Sequence, residues 1–210
     1  GAGSLTIASG NLVLNGANNY GGGTVLQAGS IDLGSATALG SGALTVDGAA
    51  TLTGKNGLAL SNDIVLNNTL NLGGGGSGGA LTLNGKISGA GGMSLAGAPG
   101  LTLNGANDFS GGFNLGGGQL TVGNNLALGT GAVTVSGASS LAANTPVGLT
   151  NNFNLNAGLN VASSSALSLN GTIGGLGGLT QSGPAKLTLG GANGFAGGVN
   201  LLGGGLGVGT

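Results

Sequence analysis

The 210-residue chain has no cysteine, histidine, glutamate, arginine or tryptophan, and its only basic residues are Lys55, Lys86 and Lys186. Without cysteine there is no disulfide and no thiolate metal site, an absence that fits an extracellular protein stabilised by other means. Without histidine or glutamate, acid–base chemistry has only Asp32, Asp47, Asp63, Asp108 and the lysines to draw on. Charged residues make up 3% of the chain, against about 25% of an ordinary soluble domain. A net charge of −1 with three lysines gives no electrostatic footprint for nucleic acid or an anionic membrane surface. Long apolar runs are also missing, because Gly, Asn, Ser or Thr breaks each one well short of the ~18 residues a membrane helix needs. Four Phe and one Tyr cannot furnish the aromatic girdles of an outer-membrane barrel. Gly1 to Gly10 hold no basic stretch followed by an apolar one, so any export signal is expected outside these residues.

What is abundant is glycine, at 54 residues, together with aliphatic side chains that raise hydrophobic content to 40% and mean hydropathy to +0.41. That hydropathy argues against compositional disorder. It points instead to a repeat architecture with a one-dimensional core. Self-similarity is plain. Copies of a long repeat begin near 12, 101 and 187, the third being truncated, and 61–72 and 80–89 align with 150–161 and 166–175. The offset between copies changes from 89 to 86 because GGGGSGG at 73–79 is longer than its counterpart at 162–165. A glycine turn absorbs such a difference.

Within each repeat a finer beat of apolar-x-apolar triplets appears, among them Leu12/Leu14, Ile31/Leu33, Leu44/Val46, Ile64/Leu66 and Leu81/Leu83, often with Thr, Ser or Asn between. Each triplet reads as a short strand with two inward residues and a small polar residue outward. Asn-Gly pairs separate the triplets, as at Asn15-Gly16, Asn104-Gly105 and Asn170-Gly171. These are read as corner residues that tolerate positive φ. Asn-Gly is also the signature of hairpins, but strands this short cannot bury a face as isolated hairpins, whereas coiling stacks every strand on the next. The fold predicted is therefore all-β, a parallel β-helix (solenoid) of about ten rungs, each of roughly 20 residues and ~4.8 Å apart. The chain reads as a single β-helix segment over 1–210, a rod about 50 Å long on that spacing.

The run L-T-L-N-G-A-N-D-F-S-G-G from Leu101, followed by Gly118 to Gly123 and Ala127 to Val133, resembles the autotransporter-associated β-strand repeat. The likeness recurs at 12–46 and 187–210; elsewhere only the rhythm is shared, and this chain is poorer in Thr and richer in Gly than the family pattern. The resemblance implies a passenger domain of a type V secreted autotransporter or adhesin. Such a domain would cross the outer membrane of a Gram-negative bacterium and fold as a right-handed β-helix at the cell surface.

Candidate sites are few. β-Helix enzymes that cleave polysaccharides need clustered carboxylates, and the four Asp are scattered along the chain, with Thr121, Ser136, Asn152 and Gly194 at their places in the other copies. No GGxGxD string offers a calcium site. The glycine run from Gly73 to Gly76 is followed by no Gly-Lys-Ser/Thr, so it is no phosphate loop. Only Thr51-Leu52-Thr53 has the Thr-x-Thr form of an ice-binding ladder. Tyr20, Phe109 and Phe195 occupy equivalent places in the three copies. They read as repeat aromatics that plug a corner of the core, the alternative being exposed rings that grip a sugar or a neighbouring filament.

Together these features predict an extracellular structural or adhesive β-helical stalk or filament subunit on a bacterial surface, with no enzymatic activity, cofactor or metal. Two alternatives stand beside it: a carbohydrate- or host-binding adhesin module, and a polysaccharide-degrading β-helix enzyme. Both termini fall inside the repeat, Gly3 to Leu5 aligning with Gly92 to Leu95 and Gly205 to Val208 with Gly118 to Val122, and neither carries a polar cap. Pro99, Pro146 and Pro184 lie well inside, where they block no edge. The partners expected are thus identical chains or adjacent repeats through open β-helix ends, with a host or neighbouring-cell surface beyond them. Because pH dependence of stability requires groups that titrate differently in folded and unfolded states, and only seven charged side chains exist, the melting temperature should move by less than about 10 °C between pH ~3 and ~9. Thermal melts across that range check it.

Overall fold

The computed structural model describes residues 1–55, 57–73, 79–97 and 100–209. Pro99 and Gly74 to Gly76, singled out above, lie outside those residues. Among the described residues there is no helix, and every strand pair is parallel, which excludes the hairpin meander. The chain is a β-solenoid of about ten turns.

Each turn has three sides. Side one starts with a five-stranded sheet of β1 (Leu5–Ile7), β3 (Thr24–Leu26), β5 (Leu44–Val46), β8 (Ile64–Leu66) and β11 (Ile87–Ser88). It resumes with a four-stranded sheet of β18 (Val147–Leu149), β21 (Leu167–Leu169), β24 (Lys186–Leu189) and β26 (Gly205–Val208). Side two is one nine-stranded sheet: β2 (Asn11–Leu14), β4 (Gly29–Leu33), β6 (Ala50–Gly54), β9 (Leu70–Leu72), β12 (Met93–Leu95), β14 (Phe113–Leu115), β16 (Val133–Val135), β19 (Phe153–Leu155) and β22 (Ile173–Gly174). Side three is eight-stranded: β7 (Leu58–Leu60), β10 (Leu81–Leu83), β13 (Leu101–Leu103), β15 (Gly118–Val122), β17 (Ser139–Ala143), β20 (Leu159–Val161), β23 (Leu179–Gln181) and β25 (Val199–Leu201).

The triplets form these strands because a three-residue strand has two residues on one face and one on the other. The burial pattern of most strands is accordingly buried, partly exposed, buried. Register stacks like on like: Leu58, Leu81, Leu101 and Leu120 form one inward column on side three, and Leu60, Leu83, Leu103 and Val122 the next. Ladder partners are 19 to 23 residues apart, from Leu5↔Thr24 to Leu58↔Leu81. The longest steps, Leu58↔Leu81, Ile64↔Ile87 and Leu70↔Met93, are those that span the glycine segment at 73–79. The columns before and after that segment keep register despite the longer step.

Leu103 is fully buried, while its neighbour Thr102 is outward and partly exposed. An aspartate at 103 would bury an unpaired charge among apolar columns. Leu103→Asp is expected to cost more than about 4 kcal/mol or prevent folding, and Thr102→Asp less than about 1 kcal/mol. Chemical denaturation of the two variants compares them, and equal losses would contradict the facing of β13.

Candidate functional site

One side of the solenoid is interrupted twice in each repeat, first at the string Gly-Ala-Asn-x-aromatic and again one rung later. Residues 107–109 follow β13 where a side-one strand is due, and they keep only part of a ladder. Asp108 N–H donates to the Ile87 carbonyl (2.9 Å), but Ile87 N–H has no backbone acceptor here and donates to Asn107 Oδ1 (2.8 Å). On the other side, Asn107 N–H donates to the Leu126 carbonyl (3.2 Å) and Nδ2 to the Ala127 carbonyl (2.7 Å). Asn107 is 1% exposed, so one side chain spans three rungs and replaces the missing strand pairing. The next passage of side one, 124–129, is a tight turn whose closing Gly129 has φ +64° and lies where a Cβ would strike the Phe109 carbonyl oxygen. Asn151 caps it from the following rung, its Nδ2 donating to the carbonyls of Gly129 (3.1 Å) and Gly131 (2.8 Å). These two arcs join the two sheets of side one into a single face.

The first copy repeats the arrangement on side three. Asn18 N–H donates to the Thr37 carbonyl (3.1 Å), its Nδ2 to the Ala38 carbonyl (2.7 Å), and Asn62 Nδ2 to Gly40 (3.0 Å) and Gly42 (2.8 Å). The third begins it on side two, where Ile173 N–H donates to Asn193 Oδ1 (3.0 Å) and Gly194 N–H to the Ile173 carbonyl (2.8 Å). Asn18, Asn62, Asn107, Asn151 and Asn193 were not among the site residues expected from sequence. The available signal is that Asn18, Asn107 and Asn193 are retained in all three copies, whereas the next residue is Asn, Asp or Gly.

The aromatics sit in these arcs as corner plugs. Phe109 is fully buried, and Tyr20 and Phe195 are partly buried. Tyr20 brings a hydroxyl to the core edge and meets Thr24 Oγ1 at 2.9 Å, while in the second copy the corresponding pair is Phe109 and Phe113. A polar pair has been exchanged for an apolar one at the same place, as the requirement for partnered buried polar groups demands.

The Asn-Gly pairs do lie at corners, but the reason differs from the one expected. Among the described residues no non-glycine residue has positive φ, and Gly16, Gly105 and Gly171 are not among the positive-φ glycines. A Cβ at Gly105 would collide with the Gly85 carbonyl of the rung below, and one at Gly171 with the Asn151 carbonyl. Close rung stacking, not backbone handedness, demands glycine at these two corners; around Gly16 the space is open. Their asparagines act on the outside: Asn104 Nδ2 donates to Asn84 Oδ1 (2.8 Å), and Asn144 Nδ2 to Asn104 Oδ1 (3.1 Å).

Nor are the carboxylates all dispersed. Asp63, Lys86 and Asp108 fall on successive rungs at the entry to side one. Lys86 N–H donates to Asp63 Oδ1 (2.9 Å) and its Nζ contacts Asp108 Oδ2 (2.6 Å). Coiling turns spacings of 23 and 22 residues into neighbours. The Lys86–Asp108 side chains are 54% and 52% exposed, so the pair contributes little to stability. Asp32 accepts from Thr53 (2.9 Å) and Asp47 from Asn67 (2.8 Å), both elsewhere. Among the described residues no group of three or more carboxylate, imidazole or thiol side chains could hold a metal ion.

Shallow grooves mark the described surface, among them one of about 360 Å³ lined by Thr37, Gly40, Ser61 and Asn62 and two that cross the strands of sides two and three. Of these two, one, of about 480 Å³, crosses β9, β12, β14 and β16 on side two, with Gly92, Gly111 and Gly112 as floor and Asn71, Ser94, Asn114 and Thr134 as rim. The other, of about 260 Å³, runs from Gly158, just ahead of β20, across β23 and β25 on side three, lined also by Gly178, Gly197, Gly198, Thr180 and Asn200. No charged side chain lines either. No protein family model, curated protein or solved structure matches the chain.

Asn107→Ala removes two buried hydrogen bonds and strands their partners, at ~1–3 kcal/mol each. A loss of about 2–5 kcal/mol is expected on that scale, against less than about 1 kcal/mol for Asn104→Ala on the exposed ladder. Denaturant titration of both variants tests this, and equal losses would remove the bridging role of Asn107.

Proposed function

We propose that the chain is a rod working outside the cell, a structural or adhesive β-helical stalk or filament subunit displayed on a bacterial surface, and that it is not an enzyme. The observation that carries the reading is that the core is a set of columns running from rung to rung, while the outward rows are mostly Ser, Thr and Asn and the grooves between them carry no charge. Such a body spans distance and offers few reactive groups. The sequence resemblance to autotransporter passengers supports export to the cell surface. Among the described residues no helix is long and apolar enough to cross a membrane.

Identical chains or adjacent repeats are the proposed partners at the rod ends. Val199 and Leu201 occupy inward positions of β25 yet are 43% and 51% exposed. The polysaccharide-degrading reading rests on Asp63 and Asp108. Against it, both carboxylates are engaged by Lys86, and neither lines a groove that could hold a sugar chain. The carbohydrate-binding module is favoured only by the neutral hydrogen-bonding rims of the two grooves.

Electron microscopy and sedimentation velocity of the purified chain test the rod. Slender particles about 50 Å long, single or joined end to end, are expected. A compact globular particle would overturn the architecture, and polysaccharide cleavage abolished by Asp63→Asn or Asp108→Asn would overturn the structural role.

A further inference from the structure

The two grooves are the same feature seen twice. Gly92 corresponds to Gly178, Ser94 to Thr180, Gly112 to Gly198 and Asn114 to Asn200 in successive copies, yet one groove is on side two and the other on side three. The displacement follows from the length of the repeat. From β2 to its counterpart β13 the chain takes eleven strand steps and passes two strandless arcs, at 18–20 and 37–39, which makes thirteen sides. Three sides make a rung, so each copy advances four rungs and one side. The interrupted arcs step likewise, from side three to side one to side two.

We propose that the glycine-floored grooves are lateral docking faces for further copies of this chain, and that the one-side step distributes those copies around the rod. The proposal deepens the filament reading and relies on it for the rod form, not for end stacking. Charge selects the occupant: no Asp or Lys lines either groove, and the whole chain carries −1, so two copies approach without repulsion. A charged partner would surrender hydration and find no counter-charge there. Spacing selects it further. The groove on side two presents an outward polar strand residue on each of four rungs, Asn71, Ser94, Asn114 and Thr134, at ~4.8 Å intervals, with Thr69 and Ser110 beside them. An aligned copy carries its own outward Ser, Thr and Asn rows at that same interval, so contacts made on one rung are made on the next. The floor at Gly92 and Gly112 lacks side chains and lets those rows approach the backbone.

Association is measured by sedimentation equilibrium and light scattering at rising concentration, on the wild-type chain and on lysine variants of the rims: Ser94→Lys with Asn114→Lys, Thr180→Lys with Asn200→Lys, and all four together. These residues face outward, and circular dichroism with thermal melting verifies that each variant folds. Each double variant should raise the concentration needed for assembly at least tenfold and limit growth to one face, and the quadruple variant should stay monomeric where the wild type assembles. Assembly unchanged in the quadruple variant would run through rung ends, overturning lateral docking while sparing end stacking. A wild type that stays monomeric throughout would also overturn it, with the rod still judged by its shape in the microscope. Binding of a neutral polysaccharide by the monomeric wild type, lost in the quadruple variant, would assign the grooves to glycan and overturn docking of copies.

Discussion

Rung-to-rung registry is the constraint on which the rest of the molecule depends. A β-strand of three residues has too little face to fold by itself, and its N–H and C=O groups must find partners above and below. Stacking identical rungs satisfies both demands at once, and it fixes the step at 19 to 23 residues. Local sequence then has little freedom. Inward positions need aliphatic side chains to continue a column, and corners need residues small enough for the next turn of chain to pass close by. Glycine content that would mark a disordered chain elsewhere is here a condition of packing, as the carbonyl oxygens facing Gly85, Gly105 and Gly171 make evident.

Where a rung cannot supply a strand, side-chain amides stand in for backbone. Asn107 accepts from Ile87 on one rung and donates to Ala127 on another, which is what a peptide group in a ladder does. Asn62 and Asn151 close the carbonyl ends of the tight turns in the same way. Asparagine suits this work because its amide has the donor and acceptor of a peptide group and carries no charge to desolvate. Gln181, within β23, is a buried amide that is only partly satisfied. It occupies the place of Leu95 in the preceding copy and is fully buried; its Nε2 donates to the carbonyls of Gly183 (2.9 Å) and Ala185 (2.8 Å), while its Oε1 lacks a partner. The position of Gln181 in the column has no further physical account.

The strands were legible because the signal is local. The period-two triplets at Leu12/Leu14, Ile64/Leu66 and Leu81/Leu83 coincide with β2, β8 and β10. The corners at Asn15, Asn104 and Asn170 were legible too, but not their cause, since a collision between rungs involves residues some 20 apart that the local string does not display. The same blindness hid the Asp63–Lys86–Asp108 stack, dispersed along the chain and adjacent in space. Asn107 escaped notice because a polar residue beside a turn is normally read as solvated. Only the three-copy comparison sets it apart from Asp108, its exposed and variable neighbour.

Because thirteen sides is not a multiple of three, the interruptions do not stack on one sheet. Each repeat interrupts one side twice, in consecutive rungs, as at 107–109 and 124–129. With twelve sides per repeat, every interruption would fall on the same side, and that side would be cut into two-stranded pieces, which are marginal in water. With thirteen, the interruptions move on by one side per copy, and a given side is broken only once in every three copies. Side two accordingly runs through nine unbroken strands before Asn193 opens its arc, and side three runs through eight after Asn18 and Asn62 close theirs. Any wedge that an arc inserts on one side is answered by equivalent wedges on the other two, so a rod built from many such copies would be straight on average. Loss of one side per repeat, to twelve, would concentrate the arcs on one face and bend it.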